Sequence, residues 1–250
     1  MSRVFEFTLG PNLGRRANLG LIVLQSDETL EHDFRRLLPE TGVALYVSRI
    51  LSGVEVTTDS LNEMAARLPD AAERLPRPIG FDVVCYGCTS GTSVIGAARV
   101  ADLVRGGVAT RAVTEPLSAL VAACTALKVT RLALLSPYVA EVSDGLRRVL
   151  SDAGVQTPVF GSFDEAEESR VARIDEASLM AAGTALMEDT QAEVLFMSCT
   201  NLRTLDVIAP LEAAVGRPVL SSNQVLGWHM LRQAGIMDRV PGRGRLLEQA

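Results

Sequence analysis

The feature that most constrains the fold is an apolar run of strand length that ends in a cysteine within a turn-forming segment, and it occurs twice. FDVVCYGCTSGTSVIG occupies residues 81–96, and EVLFMSCTNLRTL occupies residues 193–205. Cys88-Thr89 in the first run is matched by Cys199-Thr200 in the second. A repeated landmark of this kind indicates an internal duplication, so we expect the two thiols in two matched half-sites.

Strand-like and helix-like segments alternate around these two runs. Such alternation favours parallel sheets covered by helices on both faces, and right-handed crossovers bring the C-terminal ends of the strands to one edge, where ligands bind. The predicted strands are 19–24, 43–47, 81–85, 108–113, 131–135, 155–160, 194–197 and 218–220. The predicted helices begin near Thr29 and after Gly91, and cover 58–68, 117–127, 143–153, 177–188 and 224–234.

The predicted fold is therefore an α/β fold with two Rossmann-like parallel-sheet domains related by a pseudo-twofold axis. The N-terminal half covers residues 1–115 and is joined by the C-terminal helix 223–250, while the second half covers 116–222. Residues 1–17 are predicted to be a lead-in on the surface. Because both cysteines lie just beyond a strand end, pairing of the halves would place them across one cleft, the expected active site.

The charge of the chain favours a small molecule over a polyanionic partner. The formal net charge is −6 at pH 7 and no run of basic residues occurs, whereas nucleic acid or an anionic membrane needs clustered Lys and Arg. No apolar stretch reaches the roughly 18 residues of a membrane span, and the N-terminal segment lacks the apolar core of a signal peptide. We expect a cytoplasmic protein with no nucleic-acid or membrane partner. Homo-oligomer formation is left open.

Four cysteines supply the candidate chemistry, and a reducing compartment would keep them as thiols. A thiol at the start of a helix lies near unpaired backbone N–H groups, which favour thiolate, so Cys88 and Cys199 are the predicted catalytic pair. Cys85 is predicted to end a strand and point into the core, although Cys85-x-x-Cys88 also fits a redox pair or half of a metal site. Cys124 is predicted to be a small core residue.

Nothing in the sequence calls for a metal or a cofactor. His32 and His229 are far apart, so no zinc spacing and no Ser-His-Asp arrangement is evident, and both are predicted to be structural or surface residues. The glycines of GCTSGTSVIG match neither a P-loop nor a dinucleotide-binding fingerprint. We therefore expect a site that uses neither a metal ion nor a cofactor.

The chain resembles the aspartate/glutamate racemase superfamily, in particular the branch of maleate cis-trans isomerases and arylmalonate decarboxylases. The resemblance runs from about residue 19 to 236. It rests on GLIV with the SDET loop, CTS at 88–90, LLSPY at 134–138, VARID at 171–175, SCTNLRTLD and SSNQVLGWHMLRQAGI. VLQSDETLEHDF is similar to the ectoine-utilisation members of that branch.

This resemblance implies a cofactor-free enzyme with Cys88 and Cys199 as nucleophile, base or acid. It also implies that a substrate carboxylate is held by four residues: Thr89, Ser90, Tyr138 and the backbone at Thr200. Asp27 falls where maleate isomerases usually have an asparagine that contacts substrate, and the acidic segment before Val171 falls where another asparagine is common. These two departures argue against maleate itself as the substrate.

The leading interpretation is an isomerase or racemase of a small carboxylate. Cis-trans isomerisation and decarboxylation are alternatives within the branch, and the sequence does not choose between them. A non-catalytic small-molecule binding protein and a thiol oxidoreductase are alternatives of other classes.

The charge of Asp27 indicates which class of substrate the site would bind. An ionised aspartate only accepts hydrogen bonds and repels a carboxylate, so Asp27 favours a substrate that also carries an amino or amidine-like group, in keeping with the ectoine-utilisation resemblance. The alternative is that Asp27 only caps the helix beginning near Thr29.

Overall fold

Two four-stranded parallel sheets with the same strand order form the frame of the molecule. The computed structural model describes residues 2–53 and 58–249. The first sheet has the order β2-β1-β3-β4, and the second has the order β6-β5-β7-β8. The strands are β1 (Ala17–Leu24), β2 (Val43–Ile50), β3 (Phe81–Gly87), β4 (Thr110–Thr114), β5 (Arg131–Tyr138), β6 (Gln156–Glu165), β7 (Val194–Met197) and β8 (Val219–Ser221). The predicted pair of related α/β sheets is confirmed.

Helices connect the strands and cover both sheets, as right-handed crossovers between parallel strands require. They are α1 (Leu30–Leu37), α2 (Thr58–Glu73), α3 (Thr89–Ile95), α4 (Ala97–Gly107), α5 (Pro116–Leu127), α6 (Ala140–Asp152), α7 (Glu168–Val171), α8 (Glu176–Met187), α9 (Ile208–Val215), α10 (Ser222–Gln233) and α11 (Arg245–Glu248). None of the helices in the described ranges is both long and apolar enough to cross a bilayer.

The boundaries differ from the sequence prediction where tertiary packing overrides a local signal. Helix α2 was predicted to end at residue 68, before Pro69, yet it continues to Glu73 with the proline inside. Ala71 and Ala72 beyond the proline are buried in the core on one face of the first sheet. This burial offsets part of the cost of a proline in a helix interior, about 3 kcal/mol.

One hydrophobic core includes side chains of both sheets. Leu21 of β1 and Leu134 of β5 belong to the same buried cluster, while Val84 of β3 belongs to a second cluster on the other face of the first sheet. Helix α10 packs against α1, β3 and β4 of the N-terminal half and also against α5. The division after residue 115 stays a prediction, because the two sheets share a core.

Contact between α2 and α4 gives a test of this packing. A Cβ added at Gly107 would lie 2.2 Å from the backbone oxygen of Pro69, a clash that needs a backbone shift. We expect Gly107→Ala to lower the free energy of unfolding by about 1–3 kcal/mol, measured by urea denaturation. Gly106→Ala is the matched control, because nothing lies within 4 Å of its Cβ. Equal stability of the two variants would contradict the predicted clash.

Candidate active site

The site lies where the C-terminal ends of the inner strands of both sheets meet. The strand order reverses between β1 and β3 in the first sheet, and between β5 and β7 in the second. A reversal of this kind opens a crevice beyond the strand ends. Asp27 follows β1 and Cys88 follows β3, while Tyr138 ends β5 and Cys199 follows β7. Equivalent strands of the two halves therefore supply equivalent positions in the site.

All seven predicted site residues line one cavity. They are Asp27, Cys88, Thr89, Ser90, Tyr138, Cys199 and Thr200, and Glu168, Leu61 and Met64 are among the other lining residues. The volume of this cavity, as bounded by the described residues, is about 20 Å³.

Cys88 lies at the start of a helix, as the sequence predicted, but α3 begins at Thr89 and not after Gly91, so Cys88 is its N-cap. Its Sγ accepts a hydrogen bond from the backbone N–H of Gly91 at 3.1 Å. The expected preference for thiolate is nevertheless wrong for this structure. Burial raises the pKa of Cys88 to about 12, because the Gly91 N–H group only partly offsets the loss of solvent and the nearby Glu168 adds repulsion. In this surrounding Cys88 is a thiol at neutral pH.

Cys199 is held differently, because no helix begins there and the next helix, α9, starts at Ile208. The prediction of a helix N-terminus at this thiol is therefore wrong. Its backbone has a φ of 104°, a left-handed conformation that non-glycine residues adopt at a cost and that is common in functional sites. Its Sγ lies 2.9 Å from Tyr138 Oη and accepts from the Asn201 N–H at 3.3 Å. Burial, followed by the charge of Glu168, raises its pKa well above the ordinary value.

Glu168 is a buried carboxyl group bound on both oxygens. Oε1 accepts from the Tyr138 hydroxyl at 2.6 Å, and Oε2 accepts from Asn201 Nδ2 at 2.8 Å. Burial raises the pKa of Glu168, while these two donors counteract the rise. The sequence drew attention to the acidic segment before Val171 without singling out this residue. The preceding strand β6 and the short helix α7 bring it into the cavity.

Asp27 both caps a helix and lines the cavity. Its Oδ1 accepts from the backbone N–H groups of Thr29 at 2.8 Å and Leu30 at 2.7 Å, at the start of α1. Its Oδ2 is buried and forms no hydrogen bond within the described part of the chain. Burial raises the pKa of Asp27, although the two N–H groups oppose the rise. Asp27 therefore holds the first backbone N–H groups of α1, as the cap hypothesis predicts, and its second oxygen is buried in the cavity wall.

Ser222 and Asn223 of α10 form hydrogen bonds to residues of both halves next to the two thiols. The Ser222 hydroxyl accepts from the Cys199 backbone N–H at 3.0 Å and from the Thr89 hydroxyl at 2.9 Å. Asn223 Nδ2 donates to the Thr200 carbonyl oxygen at 2.9 Å and to Asp33 Oδ2 at 2.8 Å. The SSNQ motif pointed to this segment, but no local pattern showed that its hydroxyl and amide would fix both cysteine loops.

The remaining cysteines lie outside the cavity. Cys85 is buried inside β3. The prediction that it ends the strand is wrong, because β3 continues to Gly87. It belongs to the core cluster shared by both sheets, whereas Cys88 belongs to the cluster on the opposite face. Cys124 is buried in α5, as predicted, and all four cysteines are free. Within residues 2–53 and 58–249 no group of three or more His, Cys, Asp or Glu could hold a metal ion.

Comparison with known proteins places the chain in a family. The family model described as arylmalonate decarboxylase matches residues 19–247. The chain belongs to the arylmalonate decarboxylase family. Within it, the arylmalonate decarboxylase of Bordetella bronchiseptica is 30% identical over 226 residues, covering 86% of this chain and 92% of the relative. The maleate isomerase of Nocardia farcinica is 25% identical over 245 residues, covering 92% and 95%.

Solved structures of the family share the fold. Unliganded arylmalonate decarboxylase superposes with a TM-score of 0.78 at 26% identity, covering 94% of this chain and all of the other. A Nocardia farcinica maleate cis-trans isomerase variant with a covalently bound succinylcysteine intermediate superposes with a TM-score of 0.84 at 24% identity, covering 94% and 99%. Cysteine-based covalent chemistry therefore occurs on this fold.

Proposed function

We propose that the protein is a cofactor-independent isomerase or racemase of a small carboxylate, with Cys88 and Cys199 as its reacting groups. The observation that carries this proposal is that the two thiols, each following the equivalent strand of its half, line the same buried cavity. Thr89, Ser90, Tyr138 and the Thr200 backbone are proposed to bind the substrate carboxylate. We also propose that the protein works in the cytoplasm, where reducing conditions keep both thiols free.

Two reactions fit a pair of thiols in one cavity. In a racemisation, one thiolate removes the proton next to the carboxylate and the other thiol delivers a proton from the opposite side. In a cis-trans isomerisation, one thiolate adds to a double bond, the new single bond rotates, and the thiolate leaves. Hydroxyl and N–H donors around the cavity stabilise the negative charge that develops on the substrate in either reaction.

Maleate isomerisation is the second candidate. It is favoured by the match to the maleate isomerase of Nocardia farcinica over 92% of this chain. The charges of the cavity weigh against a dicarboxylate, because Asp27 and Glu168 are both buried in its wall. Each ionised carboxyl group would repel a substrate carboxylate at close range.

A substrate that carries an amino or amidine-like group as well as a carboxylate fits these charges better. Asp27 lines the cavity, and its buried Oδ2 accepts no hydrogen bond of ordinary geometry from the residues that the structure describes. A buried acceptor without a partner costs about 1–3 kcal/mol, and a cationic donor on the substrate would remove that cost. We propose an amino-acid-like substrate of this kind, and the VLQSDETLEHDF resemblance suggests one derived from ectoine.

Replacing the site thiols tests the reaction. We expect Cys88→Ala and Cys199→Ala each to lower kcat by about two orders of magnitude or more, because an acid, base or nucleophile typically contributes that much. Turnover would be measured on a panel of small dicarboxylates and amino acids that includes ectoine-derived ones. Cys124→Ala is the matched control, since it removes an equally buried thiol outside the cavity. Equal turnover in all three variants would show that the thiols of the cavity are not the reacting groups.

Asp27→Asn tests the substrate class. The variant keeps an oxygen that can accept from Thr29 and Leu30 and removes the charge, so we expect little change in stability and a shift in binding from amine-bearing ligands toward dicarboxylates. Binding would be measured by calorimetric titration with both ligand classes. Asp175→Asn is the matched control, because Asp175 caps α8 through the Ser178 N–H and does not line the cavity. An unchanged ligand preference in Asp27→Asn would mean that Asp27 acts only as a cap.

We further propose that the chain forms a homo-oligomer through its N-terminal arm, residues 2–13. Phe5 and Phe7 of this arm are 69% and 82% exposed, so their rings contact little of the chain itself. We expect light scattering to give a mass above that of one chain and Phe5→Ser with Phe7→Ser to lower it. Met237→Ser, which alters an exposed apolar side chain elsewhere, is the control. A monomeric wild-type protein at micromolar concentration would refute the proposal.

A further inference from the structure

Short hydrogen bonds link Cys199 to a buried carboxyl group through one tyrosine. Cys199 Sγ lies 2.9 Å from Tyr138 Oη, and Tyr138 Oη lies 2.6 Å from Glu168 Oε1. The three side chains belong to residues that are 3%, 5% and 6% exposed, so bulk water hardly reaches them. Separations of about 2.6–3.2 Å are those across which protons pass between titratable groups.

The direction of these hydrogen bonds follows from counting protons. An ionised carboxylate is an acceptor only, and both oxygens of Glu168 receive a donor, from Tyr138 and from Asn201 Nδ2. In the free protein, the single proton of the tyrosine hydroxyl is used toward Glu168. Its oxygen is then an acceptor toward Cys199, so the thiol proton points at Tyr138. At rest, the Cys199 thiol therefore donates to Tyr138, and Tyr138 donates to the Glu168 carboxylate.

We propose that Cys199, Tyr138 and Glu168 form a proton relay in which Glu168 takes up the proton of Cys199 through Tyr138. The S–H bond of Cys199 breaks as its proton binds to Tyr138 Oη, and the original O–H bond of Tyr138 breaks as that proton binds to Glu168 Oε1. The products are a Cys199 thiolate that accepts from Tyr138 and a neutral Glu168 that donates to Tyr138. Reversal of the two transfers restores the thiol.

Charge conservation favours this internal transfer over loss of the proton to solvent. The three residues together carry one negative charge before and after the relay. Release of the thiol proton to solvent would instead leave a thiolate and a carboxylate in the same buried group, and their repulsion is strong where water is excluded. The same repulsion contributes to the raised pKa of Cys199. The Asn201 N–H at 3.3 Å provides a second donor to the thiolate.

Among the described residues, no chain of hydrogen bonds connects the Cys88 thiol to a carboxyl group. Cys88 also has a tyrosine neighbour, Tyr86, which is close enough to lower the pKa of the Cys88 thiol. The Tyr86 hydroxyl, however, donates to the thioether sulfur of Met64 at 3.6 Å, and a thioether does not take up a proton in water. The two thiols therefore differ in function: Cys199 can become a thiolate without losing a proton to solvent, and Cys88 cannot do so through its tyrosine.

The relay predicts an unusual pH dependence for the reactivity of Cys199 in the free protein. While the relay holds one transferable proton, the fraction of Cys199 thiolate is fixed by the internal equilibrium and not by pH. We expect the rate of Cys199 alkylation by iodoacetamide, followed by mass spectrometry of its peptide, to change less than about threefold between roughly pH 6.5 and 8.5. In Glu168→Gln and in Tyr138→Phe the rate should rise about tenfold per pH unit, as for an isolated thiol.

Glu212→Gln is the matched control, because Glu212 is another buried carboxyl group with a raised pKa, bound to Val219 and Arg245 and not to a cysteine. It should leave the pH profile of Cys199 flat, and Cys88 should keep a rising profile in every variant. A rising Cys199 profile in the wild-type protein, or a flat one in Tyr138→Phe, would overturn the relay. Labelling of neither cavity cysteine would also contradict it, because the internal equilibrium keeps a small, pH-independent fraction of Cys199 as thiolate. No substrate is used, so the result is independent of the proposed function.

Discussion

The alignment of strand ends at the edge of a parallel sheet is the constraint on which the rest of the structure depends. In both sheets the inner strands run in the same direction, so the residues that follow them gather at one place. The shared core then brings the two edges together, and the Ser222 hydroxyl fixes them by accepting from Thr89 on one side and from the Cys199 backbone on the other. Each thiol is thereby positioned by the strand that precedes it, and the Ser222 hydroxyl connects the two cysteine loops.

Burial then determines the chemistry of the groups collected there. Two thiols and two carboxyl groups, Asp27 and Glu168, line one cavity. Removing ionisable acids from water raises their pKa, and each of the four shows that rise. A site built this way holds only a small fraction of its thiols as thiolates at rest. It needs a cationic ligand, a reacting substrate or an internal proton acceptor to form them.

The two halves have the same strand arrangement, but the surroundings of their two thiols differ. The two sheets have the same strand order, and each thiol follows the same strand of its half. Cys88 is nevertheless the N-cap of α3 and accepts from the Gly91 N–H, while Cys199 has a positive φ and lies next to Tyr138. A chemically asymmetric pair is what a reaction with one proton donor and one acceptor uses, and the family includes enzymes named as isomerases and as a decarboxylase.

The sequence by itself determined the sheet architecture, the repeat and the two cysteine loops, because apolar periodicity and turn residues are local signals that survive without a partner. It also gave two alternatives for Asp27, contact with the substrate or only a helix cap. Only the tertiary structure decided that Glu168 reaches Tyr138 and that Cys199 lacks a helix behind it. It alone showed that burial moves both thiols away from thiolate. These properties depend on contacts between residues far apart in the chain and on the exclusion of water, neither of which a local pattern encodes.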